Sequence, residues 1–264
     1  MKRRDLILTL TVLAPPIGCL LAPDVVHAQE PEQKSAETAE EAEKPTVTGR
    51  VLFDGEIPEV APLEVPARAA EGCCPPGENV DTTDLSLVIG KERGILGVVV
   101  SVEVEGAEVE IPEEPYEMDQ KGCRFLPHLL VVPTGAKVAF LNSDDTSHNV
   151  HLITLQNEAL NQTVLAGRRV ERTFEKEEPI KVICDMHSWM KAWVVVTDAT
   201  HWTTTDEKGA FSLAGLPPGE HQVTFWHETL GKKTAKVTVN EDGTAEPLEV
   251  KMAKKQTKRR RRRR

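Results

Sequence analysis

The segment "CDMHSWM" sets Cys184, His187 and Met190 at three-residue intervals. Thiolate and thioether are soft donors that suit Cu(I), and imidazole serves copper in either oxidation state. A short loop between two strands can wrap three such donors round one ion. A fourth donor must come from elsewhere, and "NSDDTSHNVHL" (142–152) offers it. His148 opens a strand just after a polar turn, 36 residues before Cys184, and is preferred for that position. His151 is the rival. Two histidines, a cysteine and a weak methionine make a mononuclear copper set, and the affinity order favours copper over zinc on the same donors. Met186 is a second thioether in the loop, so the axial choice of Met190 rests on spacing. Singly, each residue has a plainer role: Cys184 as half a disulfide, His187 on the surface, Met190 as core filler. Their joint occurrence is what points to metal.

The elements that must position these donors read as strands. Short β-branched runs recur at 46–55, 97–104, 128–132, 137–142, 148–154, 168–174, 180–184, 191–197, 210–213, 221–226 and 233–239. Turn signals "PTG", "NSDD", "DEKG", "LPPG" and "NEDG" separate them, and short strands at such spacing build sandwiches rather than parallel α/β units. Only "LITLQNEALNQTVL" (152–165) has a helical flavour. The fold class is all-β, and 264 residues suffice for one or two domains with real cores.

The ends differ from this middle. Residues 1–28 have a basic start, an apolar stretch broken by Pro15 and Pro16, and a small residue at Ala28. That is the layout of a secretory leader, and Arg3 and Arg4 before Leu6 and Ile7 resemble a twin-arginine signal. The prolines cut the apolar run short of the roughly 20 residues a span needs, so no transmembrane span is expected in the mature chain. The expected location is periplasmic or extracellular. Residues 29–46 are acidic and nearly free of large apolar side chains, which reads as a disordered linker. Residues 253–264 form a basic tail suited to an anionic surface. The tail has no interleaved aromatics, so no nucleic-acid partner is expected despite its charge.

Export places the cysteines where disulfides persist. Cys19 leaves with the leader, and Cys73, Cys74 and Cys123 remain beside Cys184. A bridge from Cys73 or Cys74 to Cys123 is expected, with Cys74–Cys123 as the working pair; a vicinal bridge would be strained. A second metal site from "GCCPPG", Cys123 and His128 fits no recognised spacing.

"HLLVVPTGAKVAFLNSDDTSHNVHL" followed by "CDMHSWMKAWVVV" resembles the plastocyanin/amicyanin family of cupredoxins, over roughly residues 123–197. The resemblance implies a Greek-key β-sandwich holding one type 1 (blue) copper. It makes His148, Cys184 and His187 equatorial ligands, Met190 axial, and Asn149 the residue that ties the two ligand loops together. Met186 stands where the family has proline. "TDEKGAFSLAGLPPGEHQV" (205–223) resembles the carboxypeptidase regulatory-like domain, a small transthyretin-like β-sandwich, usually non-catalytic.

That second domain normally begins with strands like "TGRVLFDG" and "GVVVSVEV", which here stand upstream of the metal segment. Two arrangements follow. In one, 47–118 joins 199–252 and the cupredoxin domain, 119–198, is inserted between them. In the other, three segments lie in series. The implied activity is one-electron transfer with a transient redox partner docking on an apolar rim of Met186 and Trp189. Copper capture without a redox role and a metal-free structural sandwich are the alternatives. No His-x-His motif accompanies the loop, so no copper enzyme is expected.

Overall fold

The computed structural model describes residues 46–74 and 78–254. The leader, all but the last residue of the linker and the arginine run of the tail lie outside the described residues. The strands are β1 (Thr46–Phe53), β2 (Val99–Val102), β3 (Tyr116–Gln120), β4 (Phe125–Leu126), β5 (Leu129–Pro133), β6 (Lys137–Asn142), β7 (His148–Ile153) and β8 (Leu160–Val164). They continue as β9 (Arg169–Thr173), β10 (Glu178–Ile183), β11 (Lys191–Thr197), β12 (His201–Thr204), β13 (Ala210–Ala214), β14 (Gly219–His227), β15 (Gly231–Val239) and β16 (Leu248–Met252). A 3-10 turn at Ala67–Ala70 is the one helical element among the described residues. The protein is all-β.

Two cores organise these strands. The first lies between the five-stranded sheet β5-β11-β10-β7-β8 and the four-stranded sheet β4-β3-β6-β9. Phe125, Phe140, Phe174, Leu152 and Ile180 fill it. The second lies between β13-β1-β16 and β12-β2-β14-β15, and is built on Val51, Val100, Phe211, Phe225 and Val250. Alternating burial along β14 shows the cause: Val223 and Phe225 face inward while their neighbours face out.

Strand β11 is buried on both faces. Ala192, Val194 and Val196 enter the first core. On the opposite face Trp193 meets Trp226 of β14 edge-to-face, with ring centroids 5.3 Å apart. That explains why "AWVVV" reads as a continuous apolar run rather than an alternating one.

Strand β1 pairs antiparallel with β13 and parallel with β16. The first described strand thus lies in a sheet otherwise made of late strands, the pairing that an interrupted sandwich requires. Gly49 is needed there, because a Cβ would stand 2.3 Å from the Leu248 carbonyl oxygen. The expected boundary at 118/119 needs correction, since it falls inside β3. Leu63, Val65, Cys73 and Val80 also pack on the first core, so the 47–118 segment serves both sandwiches.

The segment 152–165 is not helical. Glu178 is buried at the start of β10, and its carboxylate accepts the amides of Leu155 and Asn157 at 2.8 and 2.7 Å. This clasp makes a turn between β7 and β8.

Candidate metal centre

Strand pairing brings the two halves of the site together. Strands β7 and β10 are antiparallel neighbours, with Ile183 opposite His151. Cys184, one residue past β10, therefore arrives beside the start of β7, where His148 stands. The loop 184–190 then folds on itself. The Met190 amide donates to the His187 carbonyl at 2.9 Å, and the Cys184 amide donates to the Met190 carbonyl at 3.3 Å. This small ring turns Cys184 and His187 toward one point.

His148, Cys184 and His187 converge, with their ligand atoms within 4.8 Å of one another. The two Nδ1 atoms of His148 and His187 are 3.0 Å apart, and Cys184 Sγ is 3.6 Å from His187 Nδ1. All three residues are buried, His148 fully so at 0% exposure. Met190 is buried at the end of the same loop. His151 is not part of the group; it pairs with Asp185 at 2.9 Å on the exposed side of the strand.

Asn149 bridges the loops. Its backbone amide donates to Cys184 Sγ at 3.4 Å, and its side-chain oxygen accepts the Asp185 amide at 3.2 Å. Its side-chain amide donates to Asn161 at 2.7 Å.

The electrostatics favour the ligand form of the sulfur. Burial pushes the Cys184 thiol up, but hydrogen bonds with His148, His187 and the Asn149 and Met186 amides outweigh it and bring the thiol down to about 6. Sulfur is therefore largely thiolate at neutral pH, the form that binds metal. Burial opposes charge on His148, yet its bonds to Asp144 and Cys184 raise it above the ordinary histidine value. A low thiol beside two facing imidazole nitrogens is a donor set that fits copper.

Two expectations are corrected here. Trp189 does not belong to an exposed apolar rim; it is only 6% exposed. Its indole N–H donates to the Cys123 carbonyl at 3.1 Å, and its ring lies 5.1 Å from that of His187. A polar tip with a distant backbone partner turns the ring inward. Met186 does face solvent, at 46% exposure. The disulfide is Cys73–Cys123, not Cys74–Cys123. Cys73 points into the first core beside the fully buried Cys123, while Cys74 is a free, half-buried thiol. A cysteine-rich site with His128 does not form either. His128 Nδ1 is 3.1 Å from the Lys191 carbonyl, and its other nitrogen bonds Glu228.

Sequence reasoning missed Asp144. This carboxylate is 7% exposed and lies 2.7 Å from His148 Nε2. It also accepts the amides of Gly122 and Cys123 at 2.6 and 2.8 Å. Burial raises its carboxyl, but the bonds from His148 and the two amides win and hold it below the usual carboxylate range. The available signal was an acid four residues before the candidate ligand, in a turn where acids are common for other reasons.

Residues 190–253 match the family model of the carboxypeptidase regulatory-like domain. The match begins with β11, which here is hydrogen-bonded to β5 and β10 of the first sandwich. No curated protein matched the sequence. Among solved structures, the chain is similar to a copper-containing nitrite reductase from Thermus scotoductus SA-01, at 29% identity and a TM-score of 0.31. The alignment covers 37% of this chain and only 25% of that one. A purple cupredoxin from Nitrosopumilus maritimus is 24% identical over 31% of this chain and 99% of its own, with a TM-score of 0.28. The Cu(I) form of an amicyanin point mutant is 21% identical over 37% of this chain and 98% of its own, with a TM-score of 0.30.

Proposed function

We propose that this chain is an exported mononuclear copper protein that carries single electrons between partner proteins. The observation that supports it most is the convergence of His148 Nδ1, His187 Nδ1 and the Cys184 sulfur in one buried cluster. Bound copper would supply one-electron chemistry by cycling between Cu(I) and Cu(II). His148, Cys184 and His187 would hold it, with Met190 as the weak fourth donor. Burial of these residues excludes water and fixes their geometry, which suits a site that must serve two oxidation states. The loop is held by the Trp189 indole on the Cys123 carbonyl and by the Asn149 bonds to Cys184 and Asp185.

The remaining roles follow from that assignment. Met186, exposed on the same loop, is the contact offered to a transient redox partner. The chain reads as a carrier rather than a catalyst because no His-x-His motif, of the kind a second, open copper site would use, accompanies the ligand loop. The regulatory-like sandwich, built from β1, β2 and β12 to β16, is structural. Among the described residues no helix is long and apolar enough to cross a membrane. The leader directs export, and the arginine tail rests on an anionic surface.

Protein-film voltammetry of the copper-loaded chain tests the carrier role. A fast, reversible one-electron wave is the expected result. Tight copper binding with sluggish electron exchange would replace transfer by capture.

A further inference from the structure

We propose that Asp144 is the positioning residue of this centre, and that its negative charge, delivered through the His148 ring, favours the Cu(II) state. The inference rests on the copper reading above.

A histidine has two ring nitrogens, and fixing one decides what the other can do. Here Nε2 of His148 is held by Asp144 at 2.7 Å, and Nδ1 is left facing His187 Nδ1 at 3.0 Å. The carboxylate thus aims the imidazole at the metal position and keeps the proton on the far nitrogen. Partners of this kind orient the ligand and raise its basicity.

Asp144 is itself aimed. Its two oxygens take the amides of Gly122 and Cys123, so it cannot rotate without losing both. That turn is anchored by the Cys73–Cys123 disulfide and by the Trp189 indole on the Cys123 carbonyl. The turn also uses a left-handed residue, Cys123 with φ 51°, which a non-glycine adopts only when its surroundings demand it. A chain of contacts therefore runs from disulfide to turn, from turn to carboxylate, and from carboxylate to ligand. His187 has no such role for an acid; its brace is the Trp189 ring.

A buried anion one imidazole away from the metal stabilises the more positive ion. Removing it should weaken Cu(II) more than Cu(I) and move the reduction potential upward. A merely structural carboxylate would weaken both alike and leave the potential in place.

The experiment compares the wild-type chain with Asp144→Asn and Asp144→Ala. Cu(II) affinity, measured by competition, should fall by roughly 10- to 100-fold in Asp144→Ala. The potential should rise in both variants. Asp144→Asn keeps the shape and removes the charge, so it carries the test if the alanine variant misfolds. A third readout needs no metal and no variant. Nitrogen NMR of the metal-free chain at alkaline pH should find the His148 proton on Nε2. A proton on Nδ1, or an unchanged potential in a folded Asp144→Asn protein, would overturn the proposal. A wild-type chain that takes up no copper would instead sink the electron-carrier reading, and the NMR experiment would still decide whether Asp144 sets the ring.

Discussion

Each sandwich buries a histidine beside an acidic residue, with opposite results. His148 in the first is wholly buried, yet its bond to Asp144 and its contact with Cys184 favour the proton and raise its pKa. His227, at the end of β14 in the second, is 3% exposed, and burial pushes it down to about 4. Glu228 lies next to it and pulls the other way, while the charge of His128 adds to the depression. The difference lies in which groups the carboxylates bond. Asp144 spends an oxygen directly on His148. Glu228 spends its oxygens on His128 and on the Trp193 indole at 2.7 Å, leaving His227 to accept only the Thr229 amide at 3.1 Å. A buried imidazole becomes a candidate ligand when its second nitrogen is fixed by an anion and its first faces other donors. Without that, it is a neutral packing residue.

The sharpest way to break this contrast is to remove the sulfur. Cys184→Ser should abolish any intense visible band of the copper-loaded chain while leaving far-ultraviolet circular dichroism unchanged, because the thiolate is the chromophore and the strands do not depend on it. His227→Asn should leave that band intact.

The next effect in size is the disulfide beside the site. Cys73 and Cys123 close a loop with a sequence separation of 50, so Cys73→Ser with Cys123→Ser should cost on the order of 4 kcal/mol in denaturant unfolding. The second sandwich has no such link among the described residues.

The pH dependence sharpens the comparison further. His227 has a folded pKa near 4, below the ordinary value of 6.5. The unfolded chain therefore binds more protons between those values, and stability falls as pH drops from about 6.5 to about 4, by roughly 3 kcal/mol. Equilibrium unfolding across that window should show the loss. His227→Asn, which keeps an acceptor for Thr229, should flatten that share of the curve.

The smallest effect is at the indole. Trp189→Phe removes one hydrogen bond to the Cys123 carbonyl, and should cost about 1 kcal/mol in thermal or denaturant unfolding.

Much of this was legible in the sequence, for local reasons. Strands such as Lys137–Asn142 and Lys191–Thr197 carry their own pattern of β-branched and apolar residues. The approach of His148 to Cys184 and His187 follows from donor types, spacing and flanking strands. What was not legible depends on distant partners. Tyr116–Gln120 and His201–Thr204 are rich in polar residues and become strands through pairing with Val138–Asn142 and Val99–Val102. Trp189 is drawn inward by a carbonyl 66 residues away. Adjacent Cys73 and Cys74 differ only in which way each side chain points. Asp144 looks like any turn acid until the Gly122–Cys123 amides are placed against it.

The central claim is that one buried cluster binds copper through a thiolate. The most direct test is a visible absorption titration of the purified chain with Cu(II). The expected result is an intense band that saturates at one equivalent and disappears on reduction. A colourless protein, or one that binds copper without that band, would contradict the account.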